Sequence, residues 1–112
     1  ALFRAVVAEA PRSPRLGQIF YRAGPQAIAR VVAAQLAEAA RTGEIDLHAL
    51  GAEEAATLFI NMARGEGLME YLMHPESKPS AARLEHWVRL AVTTFLDAFG
   101  TTPEKRAGEI DA

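Results

Sequence analysis

The stretch 52–73, AEEAATLFINMARGEGLMEYLM, and the stretch 80–99, SAARLEHWVRLAVTTFLDAF, decide the fold. Both read as long helices, and both are apolar on more than one face. A surface helix needs one apolar stripe; a wider one calls for more than one neighbour. In the second stretch Leu84, Val88, Ala91, Phe95 and Phe99 share a face, which Val92 and Leu96 extend sideways. The polar stripe His86-Arg89-Thr93-Asp97 is narrow. Left open in a monomer, so much apolar surface is an aggregation hazard. Another copy of the same chain is the natural cover, two helices from each subunit forming a four-helix bundle.

The rest of the chain is punctuated into shorter helices. Residues 2–10 alternate at helical spacing until Pro11 stops them, since proline lacks a backbone N–H and disfavours helix in the residue before it. Ser13 caps the next helix and Pro14 occupies its first position. Gly24-Pro25 repeats the break, and a third helix is expected over 25–42 with Gly43 at its end, glycine tolerating the left-handed conformation there. Residues 44–50 form a connector that Ile45, Leu47 and Leu50 tack onto the core. His74-Pro75 ends the fourth helix, 75–79 is a polar loop, and Ser80 caps the fifth helix, which stops at Gly100. Residues 1–100 are expected to be one folded unit. Residues 101–112 are a polar tail that frays. The expectation is all-α, about five helices, with no period-2 strand pattern. Ala1-Leu2-Phe3-Arg4 begins in mid-pattern, as a cut inside a helix would.

Bulk composition narrows the function classes. The chain has 112 residues, 50% apolar and 23% charged, with net charge −2 and no cysteine. Its size and composition are those of one ordinary globular domain. The charge recruits neither nucleic acid nor an anionic membrane. The lack of cysteine excludes disulfides and thiolate metal sites, and fits a reducing cytoplasm. No apolar run approaches the ~20 residues that span a bilayer.

Residues 2–12, LFRAVVAEAPR, then Pro14, Leu16, Phe20-Tyr21 and Ala23-Gly24-Pro25, resemble the C-terminal domain of tetracycline-repressor-type (TetR/AcrR) transcriptional regulators. Gly43-Glu44-Ile45, Ala55-Ala56, Leu58-Phe59, Ala91-Val92 and Phe95-Leu96 agree with it. The resemblance implies a cytoplasmic homodimer, held by its last two helices, that binds a small apolar or amphipathic effector and so releases DNA. It also implies an N-terminal helix-turn-helix domain, whose helices are not in this sequence; this segment carries no recognition helix or basic patch for an operator. No cofactor is implied.

Helix faces and the resemblance together nominate Phe20, Ile28, Val32, Phe59, Met62, Glu66 and Trp87 as effector-lining residues. Ile60, Ala63, Gly67, Leu84, Val88, Val92, Phe95 and Phe99 are nominated for the dimer interface. Several of these residues have a plainer reading. Met62, Met69 and Met73 share a face with Ala55 and Phe59, and methionines there suit either a core or an adaptable pocket. Glu66 on that stripe lies at a pocket, at an interface, or in water; buried alone it would cost several kcal/mol. Trp87 lines a pocket, anchors the dimer or covers the core edge. Gly65 and Gly67 each cost about 1 kcal/mol in a helix interior. A close helix crossing or a kink near a ligand would offset that cost. His48, His74 and His86 are scattered, so no metal site is expected. Ser13 and Ser80 have no histidine partner, and Arg64-Gly65-Glu66-Gly67 lacks the strand–turn–helix setting of a phosphate loop. No enzyme is expected. The competing reading is a helical homodimerisation module with no pocket.

Overall fold

The structure is a computed structural model that describes residues 2–74, 76 and 80–101. The loop expected at 75–79, except Glu76, and the tail expected beyond Thr101 lie outside the described residues. The described chain is helical: α1 spans Leu2–Glu9, α2 Pro14–Tyr21, α3 Ala27–Arg41, α4 Ala52–Met73 and α5 Ala81–Phe99. A five-residue π-helical turn, Arg22–Gln26, joins α2 to α3.

The helix ends follow local chemistry. The Ser13 hydroxyl accepts from the Leu16 N–H at 3.4 Å, and the Ser80 hydroxyl from the Arg83 N–H at 3.1 Å, satisfying orphan donors at the starts of α2 and α5. At the start of α4 the Glu54 carboxylate accepts from the Gly51 N–H at 3.4 Å. Gly43 has φ +83°, and its N–H reaches the Ala40 carbonyl while the Glu44 N–H reaches that of Ala39. This paired closure is the Schellman ending, and it needs a residue at ease in the left-handed region.

The expected break at Gly24-Pro25 takes a different form. The backbone continues through it with one widened turn. In a regular helix the Pro25 ring would strike the carbonyl four residues back, that of Tyr21, and leave it without a donor. A π turn adds one residue and relieves that clash.

The middle of the molecule is an antiparallel trio, α3 and α5 both packing on α4. Ala33, Ala55 and Ala56 are buried, and such small side chains let packed helices approach closely. The core gathers at one end, where Ile45, Leu47, Ala55 and Phe95 are buried together and Leu36, Leu50, Phe59, Met62 and Phe99 pack around them. Phe95 meets the Phe59 ring edge-on at 5.5 Å and the Phe99 ring at 4.7 Å. The connector is stitched to the end of α5: the Asp46 N–H donates to the Phe99 carbonyl at 2.7 Å and the Thr101 N–H to that of Glu44 at 3.0 Å.

At the opposite end, Arg4 of α1 holds the C-terminus of α4. Its Nη2 donates to the carbonyls of Tyr71 at 2.6 Å and Leu72 at 2.8 Å, and its guanidinium lies 5.2 Å from the Tyr71 ring centre. The cation satisfies two orphan carbonyls at the negative end of the helix dipole.

The result is a slab. Its principal extents are 56 × 31 × 18 Å and its radius of gyration is 17.3 Å, against about 13 Å for a compact domain of this length.

Phe95→Ala is expected to cost about 3–5 kcal/mol, since it empties the centre of the aromatic cluster; urea unfolding measures this, and a loss under about 1 kcal/mol would show the ring not to be core. Gly65 has nothing within 4 Å of where a Cβ would sit. Gly65→Ala is therefore expected to raise the stability of the isolated protomer by about 1 kcal/mol, read from the same transition.

Candidate functional site

Among the described residues α4 carries an open depression of about 540 Å³ along Glu53, Glu54, Thr57, Leu58 and Asn61, and borders two clefts that a second element walls. The first lies between α3 and α5 and is almost wholly apolar. Val32, Leu36 and Ala39 form one wall, Val92, Phe95 and Leu96 the other, and Phe59 and Ile45 lie between them. Gln35 and Glu44 add the polar groups. Its volume is about 310 Å³, at the lower end of small-molecule pockets.

The second cleft lies between the π turn and α4, and is polar. It comprises two depressions of about 210 and 120 Å³ that share Tyr21, Ala29 and Thr57. Pro25, Ile60, Asn61 and Arg64 line one, and Gln26, Arg30 and Glu53 the other. The Thr57 hydroxyl donates to the Glu53 carbonyl at 3.0 Å, and the Asn61 amide to the Thr57 carbonyl at 3.0 Å. Both bonds run back along α4, so the acceptor atoms Thr57 Oγ1 and Asn61 Oδ1 keep free lone pairs.

Most arginines elsewhere are engaged. Arg12 pairs with Glu9, Arg41 with Glu38, Arg83 with Glu70 and Arg89 with Glu85. The Arg41 guanidinium holds the Glu38 carboxyl below its ordinary pKa. Arg15, Arg22, Arg30 and Arg64 have no hydrogen-bonding or ionic partner among the described residues, and of these Arg30 and Arg64 line the polar cleft.

A third feature is uncovered apolar surface. On α4 the residues Leu58, Met62, Gly65, Met69 and Leu72 recur at spacings of four and three, the pattern of a helix–helix seam. Leu58 is 45% exposed and Met69 50%, and Gly65 is exposed between them. On α5 Leu84, Val88, Leu90, Val92 and Leu96 are all exposed.

Among the expected effector-lining residues, Val32 and Phe59 meet in the apolar cleft, and Met62 packs against the core beside it. Phe20 is half-buried on the Phe3 ring at 6.1 Å, and Trp87 is half-buried against His86. Ile28 and Glu66 are exposed. Of the residues expected at the interface, Leu84, Val88 and Val92 present open surface, and Ala63 is half-buried. The others are engaged inside the protomer. Phe95 is buried, Phe99 stacks on it, and Ile60 lines the polar cleft. A Cβ on Gly67 would lie 3.6 Å from Leu84 Cδ2.

No sequence motif singles out the polar cleft. Its signal in the sequence is Glu53, Thr57, Asn61 and Arg64 recurring along one line of α4. Among the described residues no group of three or more acidic or histidine side chains is placed to hold a metal ion. No described helix is long and apolar enough to cross a membrane.

Residues 1–101 match the family of C-terminal domains of AefR-like transcriptional repressors. The backbone is similar to the crystal structure of a protein from Mesorhizobium loti MAFF303099 assigned to the TetR-family transcriptional regulators, with a TM-score of 0.81 and 25% identity over 89% of this chain and 48% of that one. It is also similar to the flavonoid-responsive regulator FrrA, with a TM-score of 0.74 and 27% identity over 88% of this chain and 49% of that one. The chain thus spans about half the length of these solved structures. No curated protein matches the sequence.

Proposed function

The chain belongs to the family of C-terminal domains of AefR-like, TetR-type transcriptional repressors, and on that premise we propose that it binds a small effector and dimerises on behalf of a DNA-binding regulator. Residues 1–100 form the effector and dimerisation unit. A separate N-terminal helix-turn-helix domain reads the operator and lets go when effector binds. The observation that carries the effector role is the apolar cleft between α3 and α5, where Val32 and Phe59 face Val92 and Leu96. It offers burial to a neutral or amphipathic molecule, with Gln35 and Glu44 to orient it. FrrA is described as flavonoid-responsive, and a flat polyphenol is a molecule of this type.

The dimer face proposed here joins the exposed α4 seam around Gly65 to Leu84, Val88 and Val92 of α5. Because Val92 and Phe95 line the effector cleft and Val92 also belongs to this face, cleft occupancy and subunit packing share a helix. An effector then shifts the regulator by binding one arrangement of α5 more tightly than the other. Arg4 ties α1, the helix nearest the proposed head, to the end of α4. No catalytic role is proposed.

Titration with the neutral fluorescent probe N-phenyl-1-naphthylamine tests the cleft. The expected outcome is saturable fluorescence enhancement, abolished by Val32→Trp, which fills the cleft, while the helical circular dichroism stays unchanged. No saturation in the parent protein would favour a dimerisation module without a pocket. Undiminished binding in the Val32→Trp variant would move the effector elsewhere.

A further inference from the structure

We propose that the polar cleft between the π turn and α4 is a second binding site, selective for a hydroxylated aromatic carboxylate. The inference does not depend on the effector reading of the apolar cleft, because different residues carry it.

The cleft is a graded surface. At one end stands Arg64, a cation with no partner among the described residues, whereas Arg12, Arg41, Arg83 and Arg89 each hold a glutamate. At the other end Arg30 and Glu53 line the same depression and offset one another in charge. Within the cleft Arg64 is therefore the charge without an opposite neighbour in the lining, and an anion is its natural complement. A guanidinium binds a carboxylate through two parallel N–H bonds, which fixes orientation as well as charge.

The middle of the cleft asks for the opposite chemistry. Asn61 has spent an amide N–H on the Thr57 carbonyl and Thr57 its hydroxyl proton on that of Glu53. Asn61 Oδ1 and Thr57 Oγ1 are left as acceptors beside one remaining Asn61 N–H, so a ligand hydroxyl, donor and acceptor at once, finds a partner there. Asn61 lies three residues and Thr57 seven residues before Arg64. At 1.5 Å per residue, the acceptors stand about 4.5 and 10.5 Å along the helix from the cation. One benzene ring with a short acid arm separates its carboxylate and hydroxyl by a distance within that range. The walls suit a ring, with Pro25, Ala29 and Ile60 giving flat apolar contact and Tyr21 an aromatic face.

The π turn is what makes the opening. Widening the backbone at Gly24-Pro25 brings Pro25 into the cleft wall beside Tyr21, and such turns recur at functional sites because they displace side chains from regular helical register.

The test is isothermal titration calorimetry of the protein with 4-hydroxycinnamate, its methyl ester, and cinnamate. The acid is expected to bind saturably and more tightly than either analogue. Arg64→Gln is expected to weaken the acid at least about tenfold and to erase its advantage over the ester, in keeping with the loss of a charge-assisted pair. Thr57→Val is expected to erase the advantage over cinnamate. Val32→Trp, which changes a wall of the apolar cleft and no residue lining the polar one, is expected to leave all three affinities unchanged. Arg64 is exposed, so its variant is expected to keep the parent's helical signal. Absence of saturable binding by the acid, equal affinity in Arg64→Gln, or loss of binding in Val32→Trp would each overturn the proposal. The last result would place the ligand in the apolar cleft and leave the effector reading standing.

Discussion

A helix of 22 residues with apolar side chains around most of its circumference must be covered on most of its circumference, and α4 is that helix. Everything else in the molecule is arranged around it. α3 and α5 lie along it, the connector closes one end, and Arg4 closes the other. One protomer still does not finish the task. The core holds only small residues and a few larger ones, Val6, Ile45, Leu47 and Phe95, below a tenth exposed. The seam through Leu58, Gly65 and Met69 is left bare. Area removed from water is the main stabilising term in folding. A second slab laid on the bare face would remove more of that surface from water.

The same constraint explains the clefts. Three antiparallel helices of unequal length leave gaps at their flanks unless large side chains fill them. On the α5 side the gap stays apolar, walled by Val32, Phe59 and Leu96. On the π-turn side the α4 surface changes to Glu53, Thr57, Asn61 and Arg64, and the gap is polar. One helix therefore presents three chemically distinct sectors: an apolar cleft, a polar cleft and an open seam. All three lie on one helix, and Arg4 joins the end of that helix to α1.

Much of this was legible in the sequence because it is local. Ser13, Ser80 and Gly43 mark helix ends through bonds made within a few residues, and the structure has those bonds. Ile45 and Leu47 read as anchors for the connector, and both are buried. The Gly24-Pro25 break was legible only as punctuation, since choosing between a turn and a widened helix depends on what α2 and α3 pack against. The site was harder still. Periodicity gives the angle of a side chain about its own helix, and so it grouped Val32 with one apolar face and Phe59 with another. It does not say which neighbour occupies that angle. Phe95 and Gly67 were assigned outward on that basis, yet Phe59 and Leu84 of the same protomer already stand there. Ile28 and Glu66 share faces with pocket candidates but are exposed. The polar cleft joins residues more than thirty positions apart, such as Tyr21 and Arg64, and no local pattern announces such a pairing.

The central claim is that one protomer leaves its principal apolar face for a second copy. Sedimentation equilibrium on the unmodified protein across a dilution series tests it most directly. A dimer that persists to low micromolar concentration is expected. A single monomeric species over the whole series, unfolding cooperatively and without aggregation, would contradict it, for then the slab would be stable with its seam in water.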